Sequence, residues 1–224
     1  RYYDYLLKKP SWSITAVENI NSSTDEIMNS LTNPRKGMAG ERMGMVFGYV
    51  QSGKTAHYIG MINKAYDAGY RIVIVLSGIH NSLRSQTQSR IDEEVLGYET
   101  SLESIGDMTR ERNAIGVGIG PYNQVETPVQ SITTRDEKGD VNKKTEGVSM
   151  MPPLKKKIPA KYPALIIDDE ADQASINTRA SYDDQGNILD DYNPTTINGL
   201  IRELLNIFEC RSYVGYTATP FANI

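Results

Sequence analysis

The chain has only one cysteine, Cys210, in its 224 residues, so an internal disulfide is excluded and an intracellular, cytoplasmic setting is expected. Histidine is nearly as scarce. His57 and His80 stand apart from each other, and with a single cysteine they leave no zinc spacing and no H-x-H cluster. No apolar run approaches the ~20 residues that a membrane-spanning helix needs, and no signal-peptide pattern opens the chain, so no membrane contact is expected. The net charge of −4 gives no general attraction to nucleic acid, and any such contact must come from a local basic patch. No internal repeat is visible. What remains is an ordinary globular composition, long enough for one α/β domain with a core.

The most specific stretch is Gly48–Thr55, G-Y-V-Q-S-G-K-T, which fits the phosphate-loop pattern G-x-x-x-x-G-K-[ST] at every fixed position. Triphosphate oxygens need converging backbone N–H donors, and Gly48 and Gly53 permit the tight curl that supplies them. A helix start just beyond adds free N–H groups and a positive dipole end. The predicted nucleotide-binding set is Gly48, Gln51, Ser52, Gly53, Lys54, Thr55 and Ala56. Lys54 would reach the β- and γ-phosphates, and the Thr55 hydroxyl would ligate Mg²⁺. The flanks agree. Met43–Phe47 reads as a buried strand, and Ala56–Ala68 carries Ile59, Met61, Ile62, Ala65 and Tyr66 at mostly helical spacing.

Other elements follow in order. Tyr2, Tyr3, Tyr5 and Trp12 mark an aromatic N-terminal arm, read first as packing on the domain and second as a lid over a base. Ser23-Thr24-Asp25-Glu26 matches a capping box and predicts a short helix ending near Asn33-Pro34. Gly69 is placed to end the helix after the loop. Arg71–Leu76 reads as a central parallel strand covered on both faces. Asn81 or Ser82 would cap a helix running to about Leu96, whose Arg84, Gln86, Gln88 and Arg90 form either a solvated face or a phosphate-contacting one. From Gly97 to Pro163 the pattern weakens. Ile115–Ile119 is an edge strand or a glycine-rich loop, and Val129–Thr133 looks like a strand. Lys155-Lys156-Lys157, with Lys143, Lys144 and Lys161, is the one basic cluster, either solvated surface or a contact for a nucleic-acid backbone. Asp183–Asp191 lacks calcium-loop spacing and reads as surface. Asn193 would cap a helix beginning at Pro194 and striped by Ile197, Leu200, Ile201, Leu204, Leu205 and Phe208. Ser212–Tyr216 is the last strand. Alternating strands and helices imply an α/β fold with a mostly parallel sheet flanked by helices.

Ala164–Ile167 is a short apolar strand running into Asp168-Asp169-Glu170-Ala171-Asp172. Acids at a strand end can complete phosphoanhydride hydrolysis. Asp169 would hold Mg²⁺, and Glu170 would orient or deprotonate the attacking water. Three acids in a row leave the register open by one, with Asp168 as the other metal candidate. Ligands of parallel sheets sit beyond the carboxyl ends of the strands, so the loop, the acids and Thr217-Ala218-Thr219-Pro220 could share one cleft.

Taken in order, G-Y-V-Q-S-G-K-T, D-E-A-D and T-A-T-P resemble the first RecA-like domain of a superfamily-two, DEAD-type helicase. The phrases L-I-I-D-D-E-A-D-Q-A-S-I-N-T and G-Y-T-A-T-P-F-A-N-I resemble one branch, the Z-one domain family of candidate endonucleases associated with restriction and defence. The resemblance covers Gly44–Ile224. It implies a RecA-like P-loop NTPase domain over 42–224, with a variable insertion near 97–163, preceded by an arm and helix over 1–41. It implies ATP and Mg²⁺ as cofactors, Gly53, Lys54 and Thr55 on the phosphates and metal, Asp169 and Glu170 as the first acids of D-E-A-D, and Thr217 and Thr219 coupling hydrolysis to movement. It implies nucleic acid as partner, with DNA favoured and RNA left open, and a second RecA-like domain in a longer parent chain. This chain by itself is then expected to bind nucleotide and turn it over slowly. The family's upstream adenine-reading glutamine has no counterpart, because no Gln precedes Gln51. No acid-acid-lysine nuclease site is found. The rival expectations are an NTPase switch or a nucleotide-binding scaffold acting on protein partners without nucleic acid.

Overall fold

The apolar run Ala164–Ile167 becomes a strand buried along its whole length. A computed structural model describes residues 1–36, 39–48, 53–77, 81–98, 115–118, 159–174 and 194–218. Its strands are β1 (Gly40–Phe47), β2 (Ile72–Ser77), β3 (Ala164–Asp169) and β4 (Cys210–Thr217). They form a four-stranded, all-parallel sheet in the order β1-β4-β3-β2. Its helices are α1 (Tyr2–Lys8), α2 (Ile14–Ser30), α3 (Lys54–Ala68), α4 (Asn81–Ile91), α5 (Ala171–Ala174) and α6 (Pro194–Leu205), and α4 continues into a π turn over Asp92–Leu96. The fold class is therefore α/β, with a parallel sheet flanked by helices. No helix among the described residues is long and apolar enough to cross a membrane.

The chain divides into two compact units. The sheet unit holds Leu31–Ser52, Gly69–Gly78 and Val148–Ile224, and the helical unit holds Arg1–Ser30, Gly53–Ala68 and Ile79–Gly147. In the sheet unit, Leu165, Ile166, Ile167, Val214 and Tyr216 are all buried. The stripe Ile201, Leu204, Leu205 and Phe208 packs on Ala164, Ile166 and Tyr213, with Ile72, Ile74 and Leu76 at the rim. Tyr70 fastens the start of the unit to its centre. Its hydroxyl donates to the Thr32 carbonyl at 2.7 Å and lies 2.9 Å from Ser212 Oγ, which is itself 2.8 Å from Thr32 Oγ1. In the helical unit, Leu6, Val17, Tyr58, Ile59, Met61, Ile62, Val95 and Leu96 are buried.

Several expectations need correction. β2 is half-buried along its length and, among the described residues, stands at the end of the sheet rather than at its centre. β1 is not buried either. Met43 is 63% exposed and Phe47 55%. An apolar run reports strand propensity and not a place in the strand order, which is set by long-range pairing. The capping box is not a helix start. Ser23 and Thr24 lie inside α2, with hydroxyls bonded back to the Asn19 and Ile20 carbonyls at 2.8 Å each. The α2 cap is Ser13, whose Oγ accepts the Ala16 N–H at 3.1 Å. Of the two readings of Ile115–Ile119, the loop agrees with the structure over the described residues 115–118, which form a turn with the Val117 N–H donating to the Glu93 carbonyl at 2.8 Å. The expected strand at Val129–Thr133, the acidic loop at Asp183–Asp191, His80, Asn193 and the lysines at 143–144 and 155–157 lie outside the described residues, whereas Lys161 is exposed.

Removing the Tyr70 hydroxyl leaves the Thr32 carbonyl and Ser212 short of a partner in a buried setting. Tyr70→Phe is expected to lower unfolding free energy by about 1–2 kcal/mol, read as a shift in the urea midpoint with an unchanged slope.

Candidate functional site

Parallel strands end together, so the register decides which side chains meet at the carboxyl edge of the sheet. Phe47 pairs with Thr217, and Tyr216 with Asp169, which pairs in turn with Ser77. Past the strand ends, the Gly48 N–H donates to the Thr217 carbonyl at 3.0 Å, and the Glu170 N–H donates to the Tyr216 carbonyl at 2.9 Å. The sheet unit thus brings Gly48, Thr217, Asp169 and Glu170 to one edge. β4 separates the first from the acids, so their backbones stand two strand spacings apart, ~10 Å.

The pleat sorts the three acids. Asp168 is buried and its Oδ2 accepts the Tyr213 hydroxyl at 2.7 Å, on the face that α6 covers. Asp169, the next residue along the strand, faces the opposite side and is half-buried. Glu170 leaves the strand. Its φ of 75° is the only positive value at a non-glycine among the described residues, a conformation that costs ~1–3 kcal/mol. Its Oε2 is buried and has no hydrogen-bond partner among the described residues. Strain and an unsatisfied carboxylate oxygen on one side chain mark a position that packing alone does not explain.

Gly53, Lys54 and Thr55, the last three residues of the phosphate-loop motif, belong to the helical unit. Gly53 has φ +82° and its carbonyl accepts the His57 N–H at 3.0 Å, so it caps α3. Lys54 and Thr55 follow in the first turn, both half-buried. A Cβ at residue 53 would lie 3.2 Å from Trp12 Cη2, so a side chain there meets both strain and the indole. Ala56 is buried, and its carbonyl accepts the Tyr2 hydroxyl at 3.1 Å. The aromatic arm therefore packs against the first turn of α3. His57 Nε2 lies 2.9 Å from Ser23 Oγ, and burial, followed by the Lys64 charge, lowers its pKa from the ordinary 6.5. Gln51, Ser52 and Thr219 lie outside the described residues.

Two residues expected on a solvated or phosphate-facing surface of α4 are instead used internally. Gln88 Nε2 donates to Asp92 Oδ1 at 2.7 Å, and Arg90 pairs with the buried Glu94 at 3.2 Å. Tyr213 was not legible as a site residue, because its partner Asp168 is 45 residues away and no local spacing announces the bond. Among the described residues, no group of three or more His, Cys, Asp or Glu stands together as a ready metal cage. Asp169 does offer the hard oxygen that Mg²⁺ takes, in the one-or-two-carboxylate manner that leaves other positions to phosphate and water. Comparison with protein-family models and with curated proteins finds no match to this chain.

Two outcomes follow from this geometry. Glu170→Gly removes the left-handed strain and the buried unsatisfied oxygen, against a smaller backbone-entropy loss. It is expected to stabilise the fold by about 1 kcal/mol, seen as a higher thermal midpoint. Because His57 is held below its ordinary pKa, the unfolded chain binds more protons between that lowered value and about 6.5. Its contribution to stability is full above 6.5 and is lost as pH falls through that window. His57→Gln should therefore flatten the fall in thermal midpoint between about pH 7 and pH 5 relative to the parent.

Proposed function

We propose that the chain binds a nucleoside triphosphate with Mg²⁺ and forms the first RecA-like domain of a helicase-like, DNA-processing ATPase that works in the cytoplasm beside a second such domain. The observation that carries this reading is Glu170, strained at the end of a buried strand with its Oε2 unbonded among the described residues, in a chain whose sequence also holds a complete G-x-x-x-x-G-K-T motif. Mg²⁺, when bound, supplies charge neutralisation of the phosphates. Lys54 holds the β- and γ-phosphates, Thr55 and Asp169 offer oxygens to the metal, and Gly48 and Gly53 leave room for the backbone to curl round the phosphates. Asp168, engaged by Tyr213, is the poorer metal residue of the two. Glu170 orients the attacking water and takes its proton, and its buried Oε2 is suited to a bond made only with that water. Thr217, which already receives Gly48 on its carbonyl, would pass loop movement to the strand beside it, with Thr219 continuing the motif.

Trp12 is the only tryptophan of the chain and borders the position a side chain at Gly53 would take, so its emission is a native probe of the start of α3. Titration with Mg-ATP is expected to give a saturable change in emission and a matching calorimetric signal. Lys54→Ala should weaken binding about 10–100-fold, the worth of a charge-assisted contact. Glu170→Gln should leave binding intact and slow turnover by about 10²–10⁴. Absence of any saturable signal sinks the nucleotide reading. Turnover in the parent chain that DNA does not stimulate favours an NTPase switch acting on proteins, and binding without turnover favours a scaffold.

A further inference from the structure

Glu170 has a carboxylate to aim, yet no described side chain holds the buried Oε2. Among the described residues its placement comes from the backbone, and that backbone is held by β4. The Glu170 N–H is bonded to the Tyr216 carbonyl at 2.9 Å. On the other side, the Ala171 methyl is wholly buried against Gly215. A Cβ built on Gly215 would stand 3.0 Å from Ala171 Cβ and 2.5 Å from Met45 Sδ. The missing side chain therefore leaves a notch in β4, level with Met45 of β1 and Asp168 of β3, filled by a thioether from one side and a methyl from the other. Gly215 is not among the glycines with positive φ, so what its position demands is space and not a special conformation. To seat Ala171 in that notch, the chain must turn from strand to helix within one residue, and Glu170 takes up the turn with its φ of 75°.

We infer that Gly215 is a positioning residue for Glu170, acting through the Ala171 methyl. This rests on the nucleotide reading given above. The two contacts on the notch differ in kind. The Met45 thioether is the far end of a flexible side chain and can swing away, whereas Ala171 is fixed to the backbone that carries Glu170. A methyl at 215 therefore displaces Ala171 by a few tenths of an ångström and re-aims the carboxylate. Nucleotide binding by the loop is left as it was.

The test compares Met45→Ala, Gly215→Ala/Met45→Ala and Gly215→Ala/Met45→Ala/Ala171→Gly in the full chain. Each is read by thermal midpoint, by Mg-ATP affinity from calorimetry, and by single-turnover hydrolysis of labelled ATP with protein in excess. Against Met45→Ala, the double variant is expected to keep its midpoint and its affinity and to hydrolyse about 10–10²-fold more slowly, the cost of a small misplacement of a catalytic group. The triple variant, with the methyl contact relieved, is expected to recover most of that rate. Equal rates in Met45→Ala and the double variant overturn the inference, as does a rate loss that follows a loss of affinity or of midpoint. Failure of the triple variant to recover overturns it too. A parent chain that binds Mg-ATP without hydrolysing it also overturns the inference, since no hydrolytic carboxylate would then need aiming. A parent chain that binds no Mg-ATP overturns the nucleotide reading itself, a distinct result.

Discussion

The parallel register of β4 with its two neighbours is the constraint on which the sheet unit depends. Because Phe47 pairs with Thr217 and Asp169 with Tyr216, three separate stretches of sequence reach one edge at one level. Gly48 and Glu170 each leave their own strand with a backbone hydrogen bond to β4, to Thr217 and to Tyr216 respectively. A one-residue slip of β4 would exchange its two faces and withdraw both acceptors. Burial fixes the register. Val214 and Tyr216 on one face and Tyr213 on the other are all buried, so neither face can trade its residues for the other's.

The helical unit is held by a different economy, that of buried charge. Glu94 is almost wholly buried in the π turn, with Lys9 at 3.1 Å and Arg90 at 3.2 Å as its cations. Tyr5 donates to the neighbouring Glu93 carboxylate, and Arg1 to the Gly118 carbonyl at 2.7 Å. Uncompensated, a buried carboxylate costs ~3–5 kcal/mol, so α1 is a structural member rather than a loose arm. The same helix carries Tyr2, whose hydroxyl reaches the Ala56 carbonyl in the first turn of α3. Burial, and after it the Glu94 charge, raise the pKa of Tyr2, which keeps the phenol a neutral donor to that carbonyl. The acidic turn, the N-terminal helix and the first turn of the candidate phosphate helix form one chain of contacts.

What was legible in the sequence was whatever depends on neighbours in the chain. The period of Ile197–Phe208 gave a packed helix, the apolar run before Asp168 gave a buried strand, and Gly69 ended α3 with φ +111°. Pattern was misleading where the outcome rests on distant partners. The β-branched run at Arg71–Leu76 is equally at home in the middle of a sheet and at its end, and only pairing with β3 alone among the described strands decides. Ser23-Thr24-Asp25-Glu26 has the spacing of a cap, but a hydroxyl can serve an interior turn just as well by bonding back to a carbonyl four residues earlier. At the candidate site the motif letters were readable and the sorting of the acids was not. Whether Asp168 or Asp169 turns into the covered face depends on where β3 ends and on a tyrosine 45 residues away.

Glu170 shows why that sorting matters. Continuing β3 by one residue in extended form would place Glu170 on the face of Asp168, under α6, where a carboxylate would have to be buried among apolar groups. Beginning the helix one residue earlier would take Asp169 out of its pairing with Tyr216 and Ser77. The left-handed turn at Glu170 avoids both, at a backbone cost of ~1–3 kcal/mol. That cost is met by contacts already in place, the Tyr216 carbonyl on one side and the Gly215 notch on the other. The carboxylate that results has one oxygen buried and, among the described residues, unbonded, which in a purely structural residue would be removed at a gain in stability. A glycine at this position would serve the turn better. A glutamate occupies it instead, at the end of a buried strand and beside the strand that meets Gly48, as is required by the proposal that its oxygen is kept for a partner arriving with the nucleotide.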